Sequence, residues 1–292
     1  TIRIYRGHTN TIQDLYFDGA TIVTASADRT AKLWSVNSTR ALLTLSGHSD
    51  WVLGVALSPD GTRLATASYD GTAKVWDSRS GEELLTLGGH TAWVFGIAFS
   101  PDGTRLATAS WDGTAKIWDL SRGEQTLRIA STDEEGNIMM ISGVSFNPDG
   151  SRLYTGGDDD MIHEWDAATG EELQRFSSDG LDVYGVATSP DGRTLAMGRQ
   201  DGVVILWDVA TGDKLQQIPA HAGLILRLAF SADGSQLASV GFDSLAKVWD
   251  VETGQELMTL YGVTGNVFGV AFSPDNKQLA AAGGDGTVRL YT

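Results

Sequence analysis

Tryptophan stands at 34, 76, 118, 165, 207 and 249, and Tyr291 takes the seventh place in the series. The steps are 42, 42, 47, 42, 42 and 42 residues, and an aspartate lies six residues before each member: Asp28, Asp70, Asp112, Asp159, Asp201, Asp243 and Asp285. A period of this length, kept seven times, restricts the chain to a repeat architecture in which each unit buries its faces against its neighbours.

One unit, "WVLGVALSPDGTRLATASYDGTAKVWDSRSGEELLTLGGH", divides into four apolar or alternating runs at 52–58, 63–68, 73–77 and 83–87. Each run is strand-length. The breaks "SPDG", "YDGT" and "SRSG" combine Pro, which presets φ, with Gly, which accepts a positive φ, so each reads as a turn. Five of the six prolines occupy the first break, at 59, 101, 148, 190 and 274; Ala232 stands there in the sixth unit, and "FDGA" shortens it in the first. The pattern predicts four antiparallel strands per unit and no helix.

A lone sheet with two apolar faces is unstable in water, whereas seven set radially cover one another. The expected fold is all-β: a single seven-bladed β-propeller over residues 1–292, its units ending near Trp34, Trp76, Trp118, Trp165, Trp207, Trp249 and Tyr291. The last unit stops after three strands, and "TIRIY" at the N-terminus aligns with "ELLTL". Residues 1–5 are therefore expected to supply the outer strand of blade seven, closing the ring and covering an open edge.

The recurring "GH" at 7–8, 47–48 and 89–90, the aspartate, and "WD" at 76–77, 118–119, 165–166, 207–208 and 249–250 resemble the WD40-repeat β-propeller family over essentially the whole chain. The resemblance implies a hydrogen-bonded His, Ser/Thr, Asp and Trp tetrad within a blade. Carried over by position, the full sets are His8, Ser26, Asp28 and Trp34; His48, Ser68, Asp70 and Trp76; and His90, Ser110, Asp112 and Trp118. Blade six keeps His221, Asp243 and Trp249 but has Gly241 at the hydroxyl place. Asn137, Asp179 and Val263 stand where blades four, five and seven would carry His. Such blades are expected to open more readily, since each lost bond to a buried polar group costs about 1 kcal/mol or more. The near-identical "ASYDGTAKVWD" at 67–77 and "ASWDGTAKIWD" at 109–119 also resemble bacterial propellers joined to a kinase or signalling ATPase, which implies a sensor or lid role. Beginning at Thr1 rather than Met, the chain is read as cut from a longer protein or processed.

Composition narrows the chemistry. A formal charge of −16 and a pI near 4.5 oppose binding to phosphate backbones and anionic membranes, and favour encounter with a basic partner. Without cysteine there is no disulfide, thiolate metal site or thiol nucleophile. No apolar run approaches the roughly 20 residues that span a bilayer, and the N-terminus lacks a signal-peptide core, so a monomeric cytoplasmic domain is expected. His, Ser and Asp match the residue types of a hydrolytic triad, but they recur from blade to blade with Trp as a fourth member, so no catalytic residue is expected. His163, two before Trp165 where other units carry Lys32, Lys74, Lys116 and Lys247, reads as a solvated strand position. "GGDDD" at 156–160 lacks the spacing of a calcium loop, and no glycine-rich loop opens a helix to cradle phosphate; neither metal nor cofactor is expected. Asp133, Glu134 and Glu135 read as a solvated loop.

Three tryptophans fall outside the series: Trp51, Trp93 and Trp111. Trp51 with Leu53, and Trp93 with Phe95, stand at the entry to the first strands of blades two and three. Tyr69 and Trp111 precede the tetrad aspartate between strands two and three. Both loop types open on the top end of a propeller, so these side chains should meet there. The same places elsewhere bring Met140, Asp158, Asp182, Tyr184, Phe242 and Phe268 to that end. An aromatic patch beside carboxylates suits a protein or peptide presenting Lys or Arg. The expected function is a protein-interaction scaffold. The rival is a small-molecule-binding or hydrolytic propeller, which predicts a funnel of convergent polar groups.

Overall fold

The computed structural model describes residues 2–132 and 136–292; Asp133, Glu134 and Glu135 lie outside the described residues. Twenty-eight strands form seven antiparallel four-stranded sheets, and no helix occurs among the described residues. In blade two the strands are Val52–Leu57, Arg63–Ser68, Ala73–Asp77 and Glu83–Leu87. These agree with the four runs read from the sequence, because the turn residues cut the chain where predicted. Gly61, Gly71 and Gly81 hold φ of 71°, 80° and 75°, a region that a side chain disfavours.

The outer strand of the last sheet is Ile2–Arg6, paired antiparallel with Thr287–Tyr291 so that Ile2 faces Tyr291 and Arg6 faces Thr287. The ring thus closes through backbone hydrogen bonds between the two ends of the chain. Tyr5 is fully buried, its ring edge-on to Trp34 at 6.0 Å and its hydroxyl donating to Val36 O at 3.1 Å. The latch therefore joins blade seven to blade one as well as to its own sheet.

The core lies between blades. Val23, Ala25, Leu33 and Leu45 of blade one form one buried cluster with Val52, Val55, Leu64 and Trp76 of blade two, and comparable clusters fill the other junctions. Two kinds of β-bulge recur. One interrupts the first strand of all seven blades, as between Val52 and Gly54, and leaves one residue out of register. The other precedes the series tryptophan in blades one to six, as between Val75 and Trp76. Bulges bend a strand and re-aim its side chains, and here they set both the channel mouth and the indole.

Tyr5→Ala should lower unfolding free energy by about 3–5 kcal/mol, the range of aromatic core deletions, and removal of residues 2–6 should cost more. Urea titration followed by tryptophan fluorescence measures both.

Candidate functional site

The tetrads are built with a different hydroxyl from the one read in the sequence. In blade one His8 Nδ1 bonds Asp28 Oδ2 at 2.7 Å, His8 Nε2 bonds Thr24 Oγ1 at 2.7 Å, and Trp34 Nε1 donates to the same Thr24 Oγ1 at 2.9 Å. Thr66 and Thr108 do this in blades two and three. Ser26, Ser68 and Ser110 sit two residues further along the strand and serve the backbone: Ser68 Oγ donates to Trp51 O at 2.8 Å and accepts the Asp70 N–H at 3.1 Å. The two places share one face of the strand, since side chains alternate, but only the threonine lies between indole and imidazole. Blade six follows the same rule, with Ser239 joining His221 and Trp249 at 2.8 Å each. Its tetrad is complete despite Gly241. An indole N–H only donates, and a histidine carrying its hydrogen on Nδ1 gives it to the carboxylate and accepts the threonine hydroxyl's hydrogen on Nε2. Every member is then satisfied by a neutral histidine, and burial, partly opposed by the paired aspartate, holds His90 and His221 below their ordinary pKa.

The blades lacking that histidine supply another N–H donor to the carboxylate. In blade four His163 is only 9% exposed, not a solvated position; its ring stacks on Trp165 at 5.4 Å, and its Nε2 bonds Asp159 at 2.7 Å while its Nδ1 bonds Glu172. Both ring nitrogens face carboxylates, so the imidazolium is favoured. Burial lowers the His163 pKa, but the hydrogen bonds and charges of Asp159 and Glu172 prevail and raise it above 6.5. In blade five Arg199 holds Asp201 through Nε at 3.0 Å and through Nη2. In blade seven Arg289 Nη1 reaches Asp285 at 2.8 Å. Two polar atoms of these blades are left over among the described residues: Asp159 Oδ1 in blade four, and in blade five Trp207 Nε1, because Met197 occupies the hydroxyl place. The sequence carried a signal for the correct hydroxyl, since Thr155 and Ser239 persist where Gly157 and Gly241 replace the serine.

At the top end the aromatic residues of blades two and three form one continuous stack. Trp51 lies on Tyr69 at 5.2 Å, Tyr69 on Trp93 at 4.1 Å, Trp93 against Trp111 at 4.6 Å, and Phe95 on Trp111 at 6.0 Å. Trp111 Nε1 donates to Ser142 Oγ at 3.2 Å, tying the stack to blade four. Trp51 and Trp93 stay 39% and 37% exposed, Tyr69, Phe95 and Trp111 are half-buried, and Leu53 is 2% exposed. Leu53 is thus not a surface contact. It is the bulged residue of its strand, and the bulge turns it inward, as it does Leu226.

Beyond the stack, Asp158 and Tyr184 are half-buried, and burial first, then the charges of Asp182 and Asp158, raise the Tyr184 pKa. Burial first, then the charges of Asp182 and Asp159, raise the Asp158 pKa. Met140 accepts the Asp158 N–H at 3.2 Å. Phe242, exposed, and Phe268 form a separate edge-on pair at 5.8 Å on blades six and seven. The top end therefore carries an aromatic ridge, an acidic sector and a smaller aromatic pair. No three His, Asp or Glu side chains gather as metal ligands among the described residues.

Seven segments of the chain, 1–35, 39–77, 81–119, 129–166, 170–208, 212–250 and 254–292, match the family model described as WD domain, G-beta repeat. Single stretches are similar to Nuclear distribution protein PAC1-2 of Postia placenta (49% identical over 41 residues, 14% of this chain and 10% of that protein) and to Protein Notchless of Drosophila melanogaster (42% over 55 residues, 18% and 11%). Ribosome assembly protein 4 of Chaetomium thermophilum is 40% identical over 57 residues, 18% of this chain and 11% of that protein. The chain spans about a tenth of the length of these curated relatives.

Thr66→Val strands the Trp76 N–H and His48 Nε2 together and should cost about 1–3 kcal/mol, read as a lowered urea midpoint. The raised pKa of His163 predicts the opposite of acid lability. Its stabilisation is complete below the unfolded value of 6.5 and is lost as pH climbs through the folded value. Urea midpoints measured from pH 5 to pH 9 should show a decline in wild type that His163→Gln largely removes.

Proposed function

Since the chain belongs to the WD40 family of WD domain, G-beta repeat proteins, we propose that it is a non-catalytic binding module that takes a protein or peptide, preferably a basic one, on the top end of the ring. Propellers of this family are typically protein-interaction scaffolds. The observation that supports the assignment of the face is the stack of Trp51, Tyr69, Trp93, Trp111 and Phe95, which keeps two indoles over a third exposed. Exposed clusters of large aromatic residues favour contact with another molecule, and Trp and Tyr are the preferred anchors of interfaces. The rings also hold one another in place, so little conformational entropy is lost on binding. The neighbouring Asp158 and Asp182 supply the charge for Lys or Arg.

The same proposal includes a cytoplasmic setting and a regulatory role within a larger signalling chain of bacterial type. The near-identity of 67–77 and 109–119 supports that part. No helix among the described residues is long and apolar enough to cross a membrane.

Peptides selected on the intact chain should bind Trp51→Ala and Trp93→Ala at least about tenfold more weakly, while melting shifts by no more than a few degrees. Trp118→Ala, at a 4% exposed core position, should instead lower stability by about 3–5 kcal/mol. Selected peptides that bind both surface variants as tightly as wild type would remove the aromatic stack from the interface. Turnover of a small substrate, abolished by one polar substitution on the top end, would favour the hydrolytic rival.

A further inference from the structure

Each inner strand meets the channel with the residue that follows its bulge: Asp14, Gly54, Gly96, Gly143, Gly185, Arg227 and Gly269. Five are glycine, and the space explains two of them directly. A Cβ at Gly143 would lie 2.7 Å from Val186 Cγ2, and one at Gly269 2.7 Å from the Leu15 nitrogen. The two exceptions bear opposite charges and meet. Arg227 Nε donates to Asp14 Oδ1 at 3.2 Å, which joins blades six and one past blade seven.

Both partners are fixed. Asp14 is 9% exposed and accepts the Val55 N–H on Oδ2 at 3.1 Å and the Leu15 N–H on Oδ1 at 3.0 Å. The Arg227 guanidinium lies over the Phe95 ring, 5.2 Å from its centroid. A guanidinium offers five N–H donors in a rigid fork. Asp14 takes one, and Leu226 O takes one from Nη1 at 3.2 Å. The other three have no partner among the described residues, and Arg227 lines a cavity of about 180 Å³ together with Asp14, Ser142 and Tyr184.

A fork held in this way suits the two oxygens of a carboxylate. Charge narrows the ligand further. Asp14 already neutralises Arg227, so a bare anion would add negative charge inside a protein of formal charge −16, whereas a zwitterion adds none. Tyr184, on the blade next to Arg227, lines the same cavity and lies in the field of Asp182 and Asp158. Asp158 Oδ1 is itself buried without a partner among the described residues. Ser142, which lines the cavity, accepts the Trp111 indole N–H, and the Phe95 ring lies against the Arg227 guanidinium.

We propose that this chamber binds a small zwitterion of the α-amino-acid class, its carboxylate on free Nη donors of Arg227 and its ammonium toward Tyr184, on the side where the charges of Asp182 and Asp158 act. The site lies at the channel, apart from the exposed indoles, and shares the charges of Asp158 and Asp182 with the face proposed for a basic peptide; titration without peptide lets either reading fail alone.

Calorimetric titration of the intact chain with L-phenylalanine tests the assignment, with phenylalanine methyl ester and N-acetylphenylalanine as probes that each lack one charge. Saturable binding of phenylalanine, at least roughly tenfold weaker for both controls and for Arg227→Gln, supports it. Circular dichroism and melting of the variant report whether it folds. Should Arg227→Gln fail to fold, Arg227→Lys keeps the charge but loses the fork, and weaker binding by that variant carries the same meaning. No saturation at millimolar phenylalanine, controls that bind as well as the parent, or a folded Arg227 variant that binds like wild type overturns the proposal.

Discussion

One carboxylate per blade governs this structure. The aspartate six residues before each series position is tied to a nitrogen base or cation in all seven blades: a histidine from the preceding loop in blades one, two, three and six, and His163, Arg199 or Arg289 in the others. Burying a carboxylate without a partner is costly enough that the group would protonate instead. With its partners, Asp112 is driven the other way: burial alone would raise its pKa, but bonds from Thr114, the Thr91 N–H and His90 lower it to about 2. The pairing fixes the loop between strands two and three, and that loop presents Tyr69 and Trp111 to the top end.

The substitutions among blades show how this constraint tolerates sequence drift. A guanidinium on strand two, as Arg199, or on strand three, as Arg289, meets the aspartate as well as an imidazole from the loop, because each donates N–H to the carboxylate. The hydroxyl has a narrower role. It must accept from the indole and donate to the imidazole at once, so where the histidine is gone it is free to be lost, as at Met197 and Ala281. Where a tryptophan remains above the gap its N–H is left over, as at Trp207 in blade five.

The top end rests on a second constraint, the bulge in every inner strand. It adds one residue between the strand and the loop, and the character of that residue varies from Leu53, turned inward, to Phe95, stacked on Trp111. The following residue reaches the channel, where glycine is the rule and Asp14 and Arg227 are the exceptions that meet. Framework and candidate sites thus alternate along a few residues of each inner strand.

The spacing of tryptophan and aspartate and the Pro–Asp–Gly and Asp–Gly turns determined the number of blades, the strands within each and the closure by the N-terminal segment, because these follow from local turn chemistry and from the need of each sheet to cover its faces. The cluster of Trp51, Tyr69, Trp93 and Trp111 was legible for the same reason: its members sit at equivalent places in adjacent units. Which hydroxyl joins a tetrad, whether His163 is solvated and where Leu53 points were decided by tertiary structure alone. Each depends on the position of a second strand or on a bulge, and strand alternation gives the same reading for Thr24 and Ser26 until the indole of Trp34 is set above one of them. The meeting of Asp14 and Arg227 lies furthest from the sequence, since 213 residues separate them and only the closed ring brings them together.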